Sequence, residues 1–394
     1  MRFSPTVDDR LSRRRFIGSA GVVAATTALG PGLLAACGDD DSGSKSGSGP
    51  ADVNGKVGGR LDFLWYQGYD IKGATGPWLK SHGVKLQSSY IGSYPDLIAK
   101  FKAGGANGID VTGYTHGDRS LALDAGVLAP LDEERLPNLK NLYSFFGSDF
   151  GKFWFDDDGN RIGVPFSWGS LGITYDSAET AEPAGWHDLL DARFKGKLGN
   201  VIDPMANLGC ACAALGLDTA RVTKADLGRI VEFLKAINAQ TKGLSPSWGD
   251  VTNRMVAGEI IASFSGWAAM NAFAARGGKK TVLTNVTPDE GGVSYVDSYA
   301  ISSKADNAAT AYAYVNETLD PKVNAKGADE VVAGTVVEAA FPLVSKANAA
   351  IFPYKDLAAF LEKSPPLAFP PLKSDEFVTY NEWLKTWNEL AAGV

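Results

Sequence analysis

Histidine and cysteine are scarce in this chain, with three of each among 394 residues. His82, His116 and His187 are widely spaced and none stands near an acidic cluster. The ligand spacing of a zinc site is therefore missing, and neither a metal nor a cofactor is expected. Cys210 and Cys212 lie two apart in an alanine-rich stretch that reads as a helix. At that spacing side chains point to different faces and are badly placed for a disulfide, so both read as small buried hydrophobes. No Gly-x-Ser-x-Gly elbow occurs, no histidine neighbours a serine motif, and no carboxylate pairing marks a catalytic site. That argues against a surface hydrolase and predicts a protein that is not an enzyme. A basic excess is missing as well: the formal net charge is −7. Nucleic acid and anionic lipid are disfavoured as ligands, and a cationic ligand is compatible. No internal repeat is visible.

What is present begins with export signals. Ser12-Arg13-Arg14-Arg15-Phe16-Ile17 carries an arginine pair before an apolar residue, Gly18 to Ala36 is small and apolar, and Leu34-Ala35-Ala36-Cys37 closes the run. The order resembles a twin-arginine signal joined to a bacterial lipobox. A membrane-spanning helix is the alternative, but the run is barely long enough and Gly30-Pro31-Gly32 interrupts it. Residues 1–36 are read as the signal and residues 37–56 as a flexible tether, with lipid on Cys37. Removing the five arginines and two aspartates of the signal takes the net charge from −7 to about −10. The expectation is an exported monomer on the outer face of the cytoplasmic membrane, touching it through the lipid anchor only.

Some 340 residues remain, roughly enough for two compact units. Leu61 to Tyr66, Val84 to Tyr90 and Ile109 to Thr112 read as strands, with helices over Pro95 to Ala103 and Asp118 to Ala125. Ile162 to Tyr175 begins a second strand-rich passage, followed by helices over Leu208 to Leu215 and Lys224 to Ala239 and a strand at Ile260 to Phe264. Val293 to Ile301 reads as a strand, Ala305 to Leu319 as a helix, and Phe377 to Leu390 as an amphipathic helix that buries Trp383 and Trp387. Strands alternating with helices indicate α/β lobes with helices on the faces of a parallel or mixed sheet.

Three passages resemble the extracellular solute-binding proteins of bacterial ATP-driven (ABC) importers, and within them the branch that takes spermidine and putrescine. Gly163-Val164-Pro165-Phe166-Ser167-Trp168-Gly169-Ser170-Leu171-Gly172-Ile173 is similar to one family strand, and Glu290-Gly291-Gly292 with Val293 to Ile301 is similar to another. Asp110 to Leu142 resembles the passage that leads toward the second lobe. The resemblance implies a two-lobed α/β fold of periplasmic-binding-protein type II, with crossings near Phe166, Asp297 and Pro342. Lobe 1 would hold residues 57–166 and 297–342, and lobe 2 residues 167–296 and 343–394. A ligand would be held between the lobes and passed to permease and ATPase subunits.

A polyamine site needs carboxylates for the ammonium ends and aromatic faces for the methylenes. A desolvated ammonium over tryptophan gains about 0.5 to 2 kcal/mol, and burying it without an acid costs several. By the resemblance, Asp297 is the amine-pairing acid, with a hydrogen-bonded hinge aspartate as the alternative. Asp203 falls where the family places acids of the second lobe, yet Asp203-Pro204 reads equally well as turn or cap chemistry. Trp267 matches the cleft tryptophan, and Trp168 lies in a crossing strand; each has plain core as its alternative. Tyr66, Tyr69 and Tyr295 are expected as aromatic walls, and Tyr114 and Thr115 as the rim after the third strand. Gly68 and Met270 occupy places where the family often has acids, with Asp70 just beyond the first. A mono-cation, a small amino compound or a sugar stacked on Trp267 and Tyr66 are the rival ligands. Ferric ion is disfavoured because no adjacent tyrosines occur in the second half.

Overall fold

Short runs of β-branched and aromatic residues, closed by glycine and polar turns, become the strands of a single sheet. The computed structural model describes residues 50, 52–105, 107–149, 151–276 and 283–394; the expected signal and the lipid site Cys37 lie outside the described residues. The strands are β1 Gly59–Trp65, β2 Val84–Tyr90, β3 Val111–Thr115, β4 Val164–Asp176, β5 Leu198–Val201, β6 Thr241–Ser245, β7 Ala262–Trp267, β8 Leu283–Val286, β9 Val293–Ile301 and β10 Gly334–Thr335. Their order is β2-β1-β3-β9-β4-β7-β5-β6, with β8 and β10 both pairing β4. The two ends of the sheet are parallel, and the middle, β3-β9-β4-β7, is antiparallel.

This one sheet serves two lobes. The first apolar core gathers residues from Leu61 to Trp168 and from Val296 to Leu361, and the second those from Leu171 to Val293 and from Leu367 to Trp387. β4 changes core between Trp168 and Leu171, and β9 between Val293 and Val296. Both strands are continuous across the change, so the joint between lobes is hydrogen-bonded β-structure rather than a free linker.

The third crossing differs from the expected one near Pro342. Val344, Phe352, Tyr354, Leu357 and Leu361 stay in the first core, where the rings of Phe352, Phe360 and Tyr354 surround Trp168 at 5.1, 5.7 and 6.1 Å. The chain changes lobe only at Ser364 to Leu367, running beside β9: Ser294 N donates to Pro365 O and Leu367 N to Ser294 O. The reason is packing, since the apolar residues after Pro342 have an aromatic cluster to complete.

Local chemistry accounts for two helices, one in a stretch whose sequence reads as a loop from Gly68 to Pro77 and one that sequence patterning leaves unassigned. Lys72–Ser81 contains Pro77, which has no N–H for the carbonyl of Gly73; Lys326 Nζ donates to that oxygen instead, at 2.6 Å. Lys326 belongs to the second of them, Pro321–Val331, which Asp320 caps. Glu290, part of the recognised motif, serves the fold, because its carboxylate accepts from Trp186 N at 3.1 Å and from His187.

The C-terminal helix Tyr380–Ala391 docks through Trp383 and Trp387, whose indole N–H groups donate to Pro204 O and Ile202 O, each at 2.9 Å. Both rings are buried. Trp383→Ala is expected to lower unfolding stability by about 3 to 5 kcal/mol. Urea denaturation checks it, and a loss below about 1 kcal/mol would mean that the helix is not part of the second core.

Candidate functional site

Asp297 lies near the middle of β9, paired in register with Thr115 of β3 on one side and Ser167 of β4 on the other. Its side chain is 4% exposed. Thr115 Oγ1 donates to Oδ1 at 2.7 Å and Tyr69 OH to Oδ2 at 2.6 Å. Burial pushes the carboxyl up to about 6, against the pull of those two hydroxyls.

The loop that delivers Tyr69 is shaped by two left-handed residues, Gly68 at φ 94° and Ile71 at φ 33°. A side chain at position 68 would be strained, which is why the acid that the resemblance expects there is a glycine. Ile71 is a β-branched residue in the same strained region, buried completely. Tyr66 and Tyr69 meet edge to face with centroids 6.3 Å apart, and Tyr299 OH donates to Tyr69 O to hold the loop down. Asp70 is not spare: it accepts from Ser88 and Tyr90 and pairs with Lys72 at 2.9 Å.

From the second lobe comes Trp267, at the end of β7. Its Nε1 donates to Tyr295 OH at 2.7 Å. The Tyr295 ring lies over Gly169, where a Cβ would stand 2.3 Å from the hydroxyl. Two residues before Trp267, Ser265 is held at φ 55°, with its Oγ donating to Asn200 and its carbonyl accepting from Trp248. Strained backbone thus precedes an aromatic wall on one lobe and follows one on the other.

Asp203 is the N-cap of the helix Pro204–Leu215, accepting from Ala206 N at 2.7 Å. The expectation of cap chemistry is met, and the carboxylate still stands among the other acids. Burial raises its pKa against the cap hydrogen bonds. Met270 is fully buried in the second core.

Sequence reading missed Asp118, which it took for the first residue of the helix Asp118 to Ala125. It ends the short turn His116–Asp118 that follows β3 and is 6% exposed. Its pKa is driven well above the usual carboxylate range, by burial first and then by the charges of Asp203 and Asp297. Tyr66 is raised by burial and by the same three acids. The signal available in the sequence was position: Asp118 is three residues beyond Thr115, the partner of Asp297.

Asp118 therefore lies within electrostatic reach of both Asp203 and Asp297, and among the described residues none of the three forms a salt bridge. The nearby His116 does not compensate. Its Nδ1 accepts from Val296 N at 3.2 Å, and burial lowers its pKa to about 4, so it is neutral at pH 7. Three acids, lined by Tyr66, Tyr69, Trp267 and Tyr295, present a demand for positive charge with an aromatic surround.

Two expected site residues belong elsewhere. Trp168 is fully buried, donates to Thr335 O at 3.1 Å and fills the first core. Tyr114 is fully buried, with its hydroxyl on Phe153 O at 2.7 Å. Strand alternation is the reason: Trp168 pairs with Val296 and Tyr114 with Ser298, the neighbours of Asp297 that point to the opposite face. A cavity of about 680 Å³ lined by Phe153, Cys212, Pro365 and Leu367 holds none of the three acids.

Comparison with known proteins identifies the family and the fold. The family described as bacterial extracellular solute-binding protein matches residues 77–347. The chain is 28% identical over 331 residues to the putrescine-binding periplasmic protein SpuD of Pseudomonas aeruginosa, covering 80% of this chain and 87% of that protein. It is 26% identical over 321 residues to spermidine/putrescine-binding periplasmic protein 1 of Haemophilus influenzae, covering 79% and 82%. Among solved structures it superposes on the spermidine/putrescine ABC transporter substrate-binding protein PotD of Streptococcus pneumoniae with a TM-score of 0.69 at 20% identity, covering 85% of this chain and 98% of that one. That likeness establishes the two-lobed type II fold.

Tyr69→Phe removes one of the two hydroxyl donors to Asp297. The Asp297 carboxyl is expected to titrate higher than about 6, its value with both donors in place. Carboxyl-carbon NMR checks this, and an unmoved titration would show that the hydroxyl does not stabilise the charged form.

Proposed function

The chain belongs to the bacterial extracellular solute-binding protein family, and from that premise we propose that it captures a small polyamine of the putrescine or spermidine class and delivers it to the permease and ATPase of an importer. The observation that carries this reading is the set of three carboxylates, Asp118, Asp203 and Asp297, without a cationic partner among the described residues. A buried acid is costly unless a cation meets it, and a solute with two or more ammonium groups meets several at once. The aromatic residues around the acids suit the methylenes and add cation–π attraction. The names of the curated relatives, which bind putrescine or spermidine, point the same way. The role is capture and presentation, with no bond made or broken. The Arg13-Arg14 and Cys37 signals support export with a lipid anchor, and we take the exported protein to be a monomer.

Calorimetric titration of the purified full-length protein with putrescine and spermidine tests the reading directly. Saturable binding of at least one is expected, and binding of neither, with a sugar binding instead, overturns it. Asp297→Asn is expected to weaken the polyamine by about 2 to 5 kcal/mol, the usual loss when one partner of a buried charge pair is removed. Trp267→Ala should also weaken binding, and unaltered affinity would assign the ring to packing alone.

The raised pKa of Asp297 gives a pH dependence with a definite sign. Tyr66, Tyr69, Thr115, Tyr295 and Asp118 face it, and none supplies positive charge. A cationic ligand needs the ionised carboxylate, so affinity is expected to fall about tenfold per unit as the pH drops below about 6. Without ligand the sign reverses. A carboxyl whose folded value is raised penalises the fold above that value, and the penalty is relieved as pH falls from about 6 toward the ordinary 3.8. Affinity that stays flat between pH 7.5 and about 5 would remove Asp297 from the binding event.

A further inference from the structure

We propose that Asp118 is a ligand-binding carboxylate in its own right, and that Asp118 from the first lobe and Asp203 from the second grip one ammonium of the solute between them. The inference rests on the polyamine reading and adds a residue to it. Asp118 is only 6% exposed, yet among the described residues no side chain donates to it, and a hydrogen bond comes from the Thr115 backbone. It forms no salt bridge among the described residues, and although it stands at the N-cap position of the helix Arg119–Asp124, its side chain makes no cap hydrogen bond there; its structural tie is to the Thr115 backbone.

The packing of its turn ties it to the second lobe. Gly117 lies against the ring of Phe369, so closely that a Cβ would stand 2.4 Å from that ring. Phe369 in turn stacks on Tyr380, with centroids 6.1 Å apart and planes 18° apart. Tyr380 opens the helix whose Trp383 holds Pro204 O, next to Asp203. The first-lobe turn is thus seated on the element that fixes the second-lobe acid. The phenol of Tyr380 feels both Asp118 and Asp203, as does that of Tyr66. Two acids brought in from opposite lobes repel each other when the site is empty, and an ammonium between them converts that repulsion into attraction. Charge on the ligand then contributes to holding the lobes closed, and a second ammonium is left for Asp297.

The test compares putrescine with n-butylamine, which has the same carbon chain and one ammonium, by calorimetry on the full-length protein at pH 7.5. Wild type is expected to prefer the diamine, Asp118→Asn to weaken it at least about 30-fold, and Asp118→Glu to restore part of the loss. Butylamine affinity should change by less than about threefold in Asp118→Asn, because Asp297 remains to hold a single ammonium. Removing a buried charge of this kind should leave the ligand-free melting temperature unchanged or higher. If wild type binds putrescine and Asp118→Asn binds it within about threefold, the inference is overturned and the polyamine reading stands. A ligand-free melting temperature lowered by more than about 10 °C would make Asp118 a structural residue and overturn it equally. Failure of wild type to bind any diamine would bring down the polyamine reading and this inference together.

Discussion

Asp297 is a charge set into the middle of a sheet, and much of the molecule is arranged around the cost of keeping it there. A carboxylate in a buried strand is normally excluded unless it is paired. Here two hydroxyls, from Tyr69 and Thr115, carry part of that cost. They hold the acid at a compromise near 6, where it is neither a secure anion nor a secure neutral group. The donors come from different elements, a loop after β1 and the end of β3, so the position of the acid depends on the whole first lobe. On the proposed polyamine reading, a ligand cation completes a balance that the protein leaves open.

That position is also the joint. Asp297 sits on one of the two strands that pass unbroken from one core to the other, within two residues of where β9 changes core. A solute held at the joint touches residues from both lobes at the shortest lever arm, where small rotations bring the far surfaces together. The third crossing, delayed to Ser364–Leu367, runs along β9 through hydrogen bonds to Ser294 and reinforces the same hinge region. Backbone strain is concentrated nearby: Ile71 and Ser265 hold φ of 33° and 55° beside Tyr69 and Trp267. Such conformations persist only where packing over-determines them, and the indole of Trp248 and the amide of Asn200 do that for Ser265.

The layered α/β pattern, the long strands and the C-terminal helix were legible because each rests on local periodicity. So were the aromatic–acid strand around Asp297 and the tyrosines of the first loop, which carry family motifs. What failed to show was whatever depends on which face of a strand turns inward. Trp168 and Tyr114 lie in the right strands and on the wrong side, and a side-chain period of two does not say which side the cleft will be until the partner strands are known. The helix Lys72–Ser81 was hidden by Pro77, whose missing donor is offset by Lys326, about 250 residues away. Asp118 was hidden by its own ordinariness, an aspartate before a helical pattern, where a cap is the usual explanation.

The absent acids and the unexpected one belong to a single physical argument. Position 68 has a left-handed backbone that favours glycine, and position 270 is occupied by a methionine sealed in the second core. Neither place can present a carboxylate without rebuilding its surroundings. The turn after β3 can, because Gly117 allows Phe369 to cover it and leaves Asp118 buried, within electrostatic reach of Asp203. A binding site of this type requires a certain number of negative charges within reach of the ligand, and it does not require them at fixed places in the chain. On the proposed polyamine reading, the charge demanded by a dication is therefore distributed over β9, the N-cap of the second-lobe helix and the turn after β3. Three separate elements must be in register before the site exists.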